Sequence, residues 1–152
     1  MKKILILLLL PIFSYGQVNT FPWVNDFESF ITLEQDPNDD GDWVLRQGST
    51  PSYNTGPSGD HTTGSGVYYY VESSYPNYPN KTFISYTPTF DVSATPGKVL
   101  SFWYHMYGAA MGDLEIGVLD NGYTVLDTKS GNYGDQWFFA YYPIASTNSF
   151  KI

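Results

Sequence analysis

The 152-residue chain contains no cysteine. That excludes a thiol nucleophile, a cysteine-ligated zinc, a disulfide framework and a lipid attached through an N-terminal cysteine. Histidine is almost as scarce, with only His61 and His105, too few for a zinc site built on histidine pairs. Cations are outnumbered as well: 7 Lys and Arg stand against 15 Asp and Glu, a net charge of −8. A surface that acidic repels phosphate backbones and anionic membranes, so nucleic acid is the wrong partner, while cations are attracted. After residue 13 no apolar run approaches the roughly 20 residues that a membrane-spanning helix needs. Long Ala/Leu/Glu/Lys stretches are also missing, and no helix is expected.

What is present begins with a short basic head, Met1-Lys2-Lys3, an apolar run over Ile4–Phe13 and the small residues Ser14-Tyr15-Gly16. This pattern is a secretory signal peptide of bacterial type, cut after Gly16. The mature chain, 17–152, then fits one exported domain with enough length for a core. Without Lys2 and Lys3 it is more acidic still.

Tyr 14, Phe 10 and Trp 4, together with Gly 14 and Pro 10, describe strands separated by turns. Strand chemistry recurs over Val67–Glu72, Lys81–Tyr86, Lys98–Tyr107, Asp113–Leu119, Tyr123–Thr128, Gln136–Tyr142 and Ser149–Ile152. Short strands at this spacing predict a sandwich or barrel. Leu114, Ile116 and Val118 alternate with Asp113, Glu115 and Gly117, so Asp113–Leu119 should bury one face. Lys98–Tyr107 carries large side chains on both faces, which predicts a central place in a sheet. Asn121-Gly122 marks a hairpin between the fourth and fifth of these runs. Ser149-Phe-Lys-Ile152 ends in strand-like residues with no protective tail, which predicts that the chain stops short of a closing strand.

Candidate chemistry is thin. Ser58, His61 and a distant Asp could be drawn as a triad, yet no nucleophile elbow is present. The simpler reading makes His61 a hydrogen-bonded loop residue and His105 a satisfied core residue. Asp36-Pro-Asn38-Asp-Asp40-Gly41 copies the front of an EF-hand loop, but position twelve is Gln47 and neither flank is helical. An acidic turn before a strand at Trp43–Arg46 explains it better. Fifteen acids make chance carboxylate pairs common, so a glycosidase pair is not implied.

The segments Asp26-Phe-Glu28, Gln35-Asp36 through Asp42-Trp43, Thr55–Gly66 (TGPSGDHTTGSG) and Leu100–Gly108 (LSFWYHMYG) together resemble the MAM domain. This is the extracellular module named after meprin, the A5 antigen and receptor tyrosine phosphatase mu. The resemblance covers nearly all of the mature chain. It implies an all-β, jelly-roll sandwich of two antiparallel sheets, here without its last strand. It also implies no enzymatic activity and a secreted or cell-surface role in adhesion, with a surface protein or glycan, or a second copy, as partner. By the same similarity Asp26, Glu28 and Asp60 would ligate a structural Ca2+, a hard cation that suits clustered carboxylate and carbonyl oxygens.

Two departures from the family stand out. Asn25 and Val99 occupy positions where the family carries cysteines, so its disulfides are absent. The family's closing acidic strand is expected beyond Ile152, which leaves the cation shell in doubt. Two other functions fit the residues: a carbohydrate-binding jelly roll using Tyr53, Tyr75 and Tyr78 in loops, or an accessory domain of a secreted peptidase.

Overall fold

The computed structural model describes residues 16–77 and 79–152, and these contain strands but no helix. Tyr78 and the expected signal peptide through residue 15 lie outside the described residues. Eight strands follow in chain order: β1 (Glu34–Gln35), β2 (Val44–Gln47), β3 (Val67–Tyr70), β4 (Ser85–Tyr86), β5 (Val99–His105), β6 (Asp113–Leu119), β7 (Tyr123–Ser130) and β8 (Trp137–Pro143). They pair antiparallel as β1 with β4, β2 with β3, β5 with β8 and β6 with β7. The architecture is the all-β, antiparallel sandwich that the strand pattern predicts.

Alternation decides which faces meet. In β5 and β8 the residues Leu100, Phe102 and Tyr104 stand opposite Tyr142, Ala140 and Phe138, and this side turns inward. Tyr104, Met106 and Ala140 form one buried cluster, with Leu114 of β6 packed against it, so the β5/β8 ribbon lies over β6/β7. A second cluster gathers Phe90, Val92, Val118, Ile144 and Phe150, with Leu100 and Leu126 at its border. Phe90 sits among the rings of Phe21, Trp23 and Phe150 at centroid distances of 6.0, 5.2 and 5.7 Å. Burial of such a ring stabilises the fold by about 2–3 kcal/mol.

A bulge in the β6/β7 hairpin sharpens this packing. Ile116 opposes Asp127 while Gly117 opposes Val125, leaving Leu126 as the extra residue; Leu126 leans against the second cluster. On the opposite face the Tyr123 ring lies flat over Gly117, where any Cβ would collide with it. Tyr123 Oη donates to Glu115 at 2.8 Å, which holds the ring there.

Several predicted strands are shorter than their apolar runs, for a local reason. Over residues 81–84 carboxylates stand in for backbone acceptors: Thr82 N donates to Asp40 Oδ2 at 2.8 Å and Ile84 N donates to Asp39 Oδ2, while Thr82 O and Ile84 O accept the backbone N–H groups of Asp40 and Asp36. Only Ser85–Tyr86 forms a ladder, and its partner, β1, had little signal in the sequence. After Tyr70 the chain turns because the Glu72 carboxylate accepts from Ser52 Oγ, Tyr70 Oη and Ser74 N. Near the end, Phe150 bridges Phe90 and Lys151 bridges Leu119, in place of a full strand over Ser149–Ile152.

The expected central position of β5 is not what is found. β8 is its one strand neighbour among the described residues. Ile144 N donates to Lys98 O at 2.9 Å just beyond the ribbon's end. Hydrogen-bonded pairs alternate in an antiparallel ladder, so Val99, Ser101 and Trp103 aim their backbone groups away from β8. On that open side the backbone contact is Gly56 N to Tyr107 O at 2.8 Å, past the strand end.

Candidate functional site

The loop Gly59–Gly66, directly ahead of β3, is built around one carboxylate. Asp60 is 7 % exposed and accepts four hydrogen bonds. Oδ1 takes Thr63 Oγ1 at 2.7 Å and Gly66 N at 2.6 Å; Oδ2 takes Thr62 N at 2.8 Å and Thr63 N at 2.9 Å. Two oxygens offer about four lone-pair positions, so Asp60 is saturated by its own loop. Burial alone would raise its pKa, but the hydrogen bonds from Thr63, Gly66 and Thr62 outweigh burial and hold the carboxyl well below the usual carboxylate range.

Glu28 reaches the same place from the start of the domain's sequence. Its Oε1 accepts Val67 N at 2.7 Å, at the first residue of β3. The two carboxylates meet over Gly66: a Cβ there would overlap Glu28 Oε1 and lie 3.0 Å from Asp60 Cγ. Glycine is required because the backbone passes between two acids. Asp26 does not join them. Its Oδ1 accepts Glu28 N at 3.1 Å in a local turn, and the residue borders a shallow groove with Trp23, Ser29 and Ile31.

Of the three expected ligands the fold therefore brings together Glu28 and Asp60. Calcium takes six to eight oxygens, and among the described residues no cluster of three or more His, Asp or Glu side chains is placed to hold a metal ion. Among the described residues Glu28 Oε2 is the one carboxylate oxygen of the pair without a protein hydrogen bond. The donor set as arranged does not fit a tight calcium site, and the loop's rigidity comes from hydrogen bonds.

The acidic turn also resolves into hydrogen-bond work. Asp36 Oδ1 accepts Asn38 N at 2.8 Å and Asp36 Oδ2 accepts Tyr86 Oη at 2.8 Å, while Asp39 Oδ1 accepts Gly41 N at 3.0 Å. These acids point to separate donors, as an acidic turn requires and an EF-hand forbids.

Neither histidine behaves wholly as expected. His61 makes no hydrogen bond among the described residues and stacks on Trp103 of β5, with ring centroids 3.6 Å apart and planes 14° from parallel. The His105 side chain is 3 % exposed and its Nε2 lies 3.2 Å from Asp135 Oδ1, but Nδ1 is buried with no partner. Burial lowers the pKa of His105, against the opposing pull of Asp135. Both imidazoles approach Trp137 edge-on, at 6.1 and 5.3 Å. The aromatic seam of His61, Trp103 and Trp137 was not legible beforehand, since it depends on the register that sets Trp103 opposite Phe139 and His105 opposite Trp137. Of the loop tyrosines, Tyr53 and Tyr75 are 92 % and 88 % exposed.

The sequence profile of the MAM domain, meprin/A5/mu, matches residues 25–152. Thyroid hormone-induced protein B of Xenopus laevis is 36 % identical over 125 residues, 79 % of this chain and 18 % of that protein. Human MAM domain-containing protein 2 is 43 % identical over 86 residues, 56 % of this chain and 12 % of its own length. Human MAM domain-containing glycosylphosphatidylinositol anchor protein 1 is 35 % identical over 134 residues, 82 % of this chain and 14 % of that protein. The chain thus spans less than a fifth of the curated relatives it matches.

Proposed function

The chain belongs to the MAM domain family, and from that premise we propose that it is a non-enzymatic extracellular adhesion or protein-interaction module. The observation that carries this reading is how the reactive groups are used. Asp60 is saturated by four loop donors, His105 is buried against Asp135, and His61 lies flat on an indole. Among the described residues none of these three is left as a general acid or base beside a nucleophile, which is what acyl or glycosyl transfer would need. Interaction surfaces ask for rigid loops instead, and the Glu28–Asp60 corner supplies one.

The partner on this reading is a cell-surface protein, a second copy of the chain included, and the site of action is outside the cell or on its surface. One relative is named a glycosylphosphatidylinositol anchor protein, which is in keeping with that location. Among the described residues no helix is long and apolar enough to cross a membrane.

The test is to display the chain on beads and measure adhesion to cells and to beads carrying the same chain, alongside assays with peptide and glycoside substrates. Protease-sensitive adhesion without turnover is the expected result. Turnover that disappears in Asp60→Asn or His105→Gln while the fold survives would refute the proposal.

A further inference from the structure

We propose that the outer face of the β5/β8 ribbon is a binding strip for a neutral polysaccharide chain. The ribbon's inner face is consumed by the core, and its outer face is not. Register places Ser101 opposite Tyr141 and Trp103 opposite Phe139, with Val99 opposite Pro143 at one end. Trp103, Phe139 and Tyr141 are 44, 55 and 59 % exposed. Taking about 200 Å² for a whole aromatic residue, these three leave roughly 300 Å² of exposed residue surface in one patch, much of it ring. A patch of that size is comparable to the largest apolar patch of an ordinary soluble monomer, which is often a functional one.

Three features select the occupant. The strip bears no charged side chain, although the protein as a whole carries −8, so neither an acidic nor a basic partner is favoured there. Its area falls well short of the roughly 800 Å² per partner of a stable protein interface, which disfavours a second copy or a large protein face. The polar groups at its border are unspent: Ser101 Oγ, Tyr141 Oη and the His61 ring make no hydrogen bond among the described residues.

Apolar rings bordered by free hydroxyl and imidazole groups match the two sides of a pyranose, whose C–H face stacks on aromatics while its equatorial hydroxyls exchange hydrogen bonds. Phe139 and Tyr141 stand about 7 Å apart along the strand, so linked sugars can cover both. Trp103 meets Phe139 at 5.2 Å and 53° and is capped by His61, which closes the strip at one end.

This site is distinct from the loop tyrosines Tyr53 and Tyr75, and it goes beyond the adhesion reading without depending on it. The test is affinity electrophoresis of the full chain in gels containing hydroxyethylcellulose, xylan, a β-1,3-glucan or galactomannan, with polygalacturonate as the charged control. Retardation by at least one neutral polymer is expected, unchanged in 0.5 M salt. Phe139→Ala and Tyr141→Ala should each weaken it by about tenfold, the scale of one lost aromatic contact.

Tyr141→Phe keeps the ring and should retain most of the binding, which separates a local effect from unfolding. No retardation by any neutral polymer, or retardation that survives both alanine variants, would overturn the proposal. So would self-association seen by sedimentation and abolished by the same two variants, since that would assign the strip to a second copy.

Discussion

The loop carboxylate offers the sharpest test of how this domain is held together. Asp60→Asn keeps shape and volume but sets a side-chain NH2 against donors: if the amide oxygen stays with Thr63 Oγ1 and Gly66 N, the amide nitrogen faces the Thr62 and Thr63 N–H groups. A hydrogen bond to a charged acceptor contributes about 1.5–3 kcal/mol. Thr62 and Thr63 are exposed and recover part of that from water, whereas Gly66 is buried and does not. The expected loss is about 3 kcal/mol at pH 7, or roughly 10 °C in Tm for a domain of this size.

The pH dependence carries an independent signature. The folded-state pKa of Asp60 is depressed below its ordinary 3.8, so on acidification the unfolded chain takes up this proton first. The carboxylate's contribution is therefore complete at neutral pH and drains away as pH falls below about 4. Urea unfolding of wild type and Asp60→Asn at pH 7, 5, 4 and 3 should show a gap that is constant down to pH 5 and has begun to narrow by pH 3. A gap under 1 kcal/mol at pH 7, or one that does not narrow in acid, would refute the account of Asp60 as the loop's organising charge.

Other changes probe other parts of the fold. Gly66→Ala drives a methyl into Glu28 Oε1 and against Asp60, and urea denaturation should register a loss of about 2–3 kcal/mol. Phe90→Ala empties the centre of the second core cluster and should cost about 3–4 kcal/mol in the same assay. For His105 the folded pKa lies below the ordinary 6.5 because of burial, so the unfolded chain protonates first and stability falls as pH drops through 6.5; His105→Gln should flatten that slope between pH 7.5 and 5.5. Asp135→Asn removes the group that opposes burial, and NMR titration should find the His105 pKa lower still. With only two carboxylates adjoining, 1 mM calcium should raise Tm by no more than about 2 °C, the scale of a millimolar site, and Glu28→Gln should abolish even that. Saturation at micromolar calcium would show a far more complete shell than the one described.

Fold class was readable because alternation survives single substitutions: Leu114, Ile116 and Val118 announce a half-buried strand whatever lies across from it. Turn chemistry was equally local, as the hairpin at Asn121-Gly122 shows. Pairing was not local. Lys98–Tyr107 has large residues on both faces and reads as central, yet its outer face is capped only at the Trp103 end, by His61 from a loop some forty residues earlier, and strand order leaves no mark on the sequence. Strand ends were misread wherever a carboxylate replaced a ladder partner, as Asp39 and Asp40 do for residues 82–84 and Glu72 does after Tyr70. The same blindness applied to the site: Glu28 and Asp60 were picked out by resemblance, but only the register of Val67 shows that both serve the start of β3.

These two groups of contacts amount to one device. Asp60 folds the loop onto Gly66, Glu28 pins the next residue, Val67, and the fixed loop then holds His61 against Trp103 and beside Trp137. No backbone ladder joins β3 to β5 among the described residues, so this aromatic seam, with Tyr68 edge-on to Trp137 at 6.2 Å, helps the Gly56 N to Tyr107 O bond tie the β2/β3 ribbon to the β5/β8 ribbon. A mutation at Asp60 should therefore be felt at Trp103 even though the two side chains are not in contact. The loop around Asp60 is thus also a seam between the β2/β3 and β5/β8 ribbons.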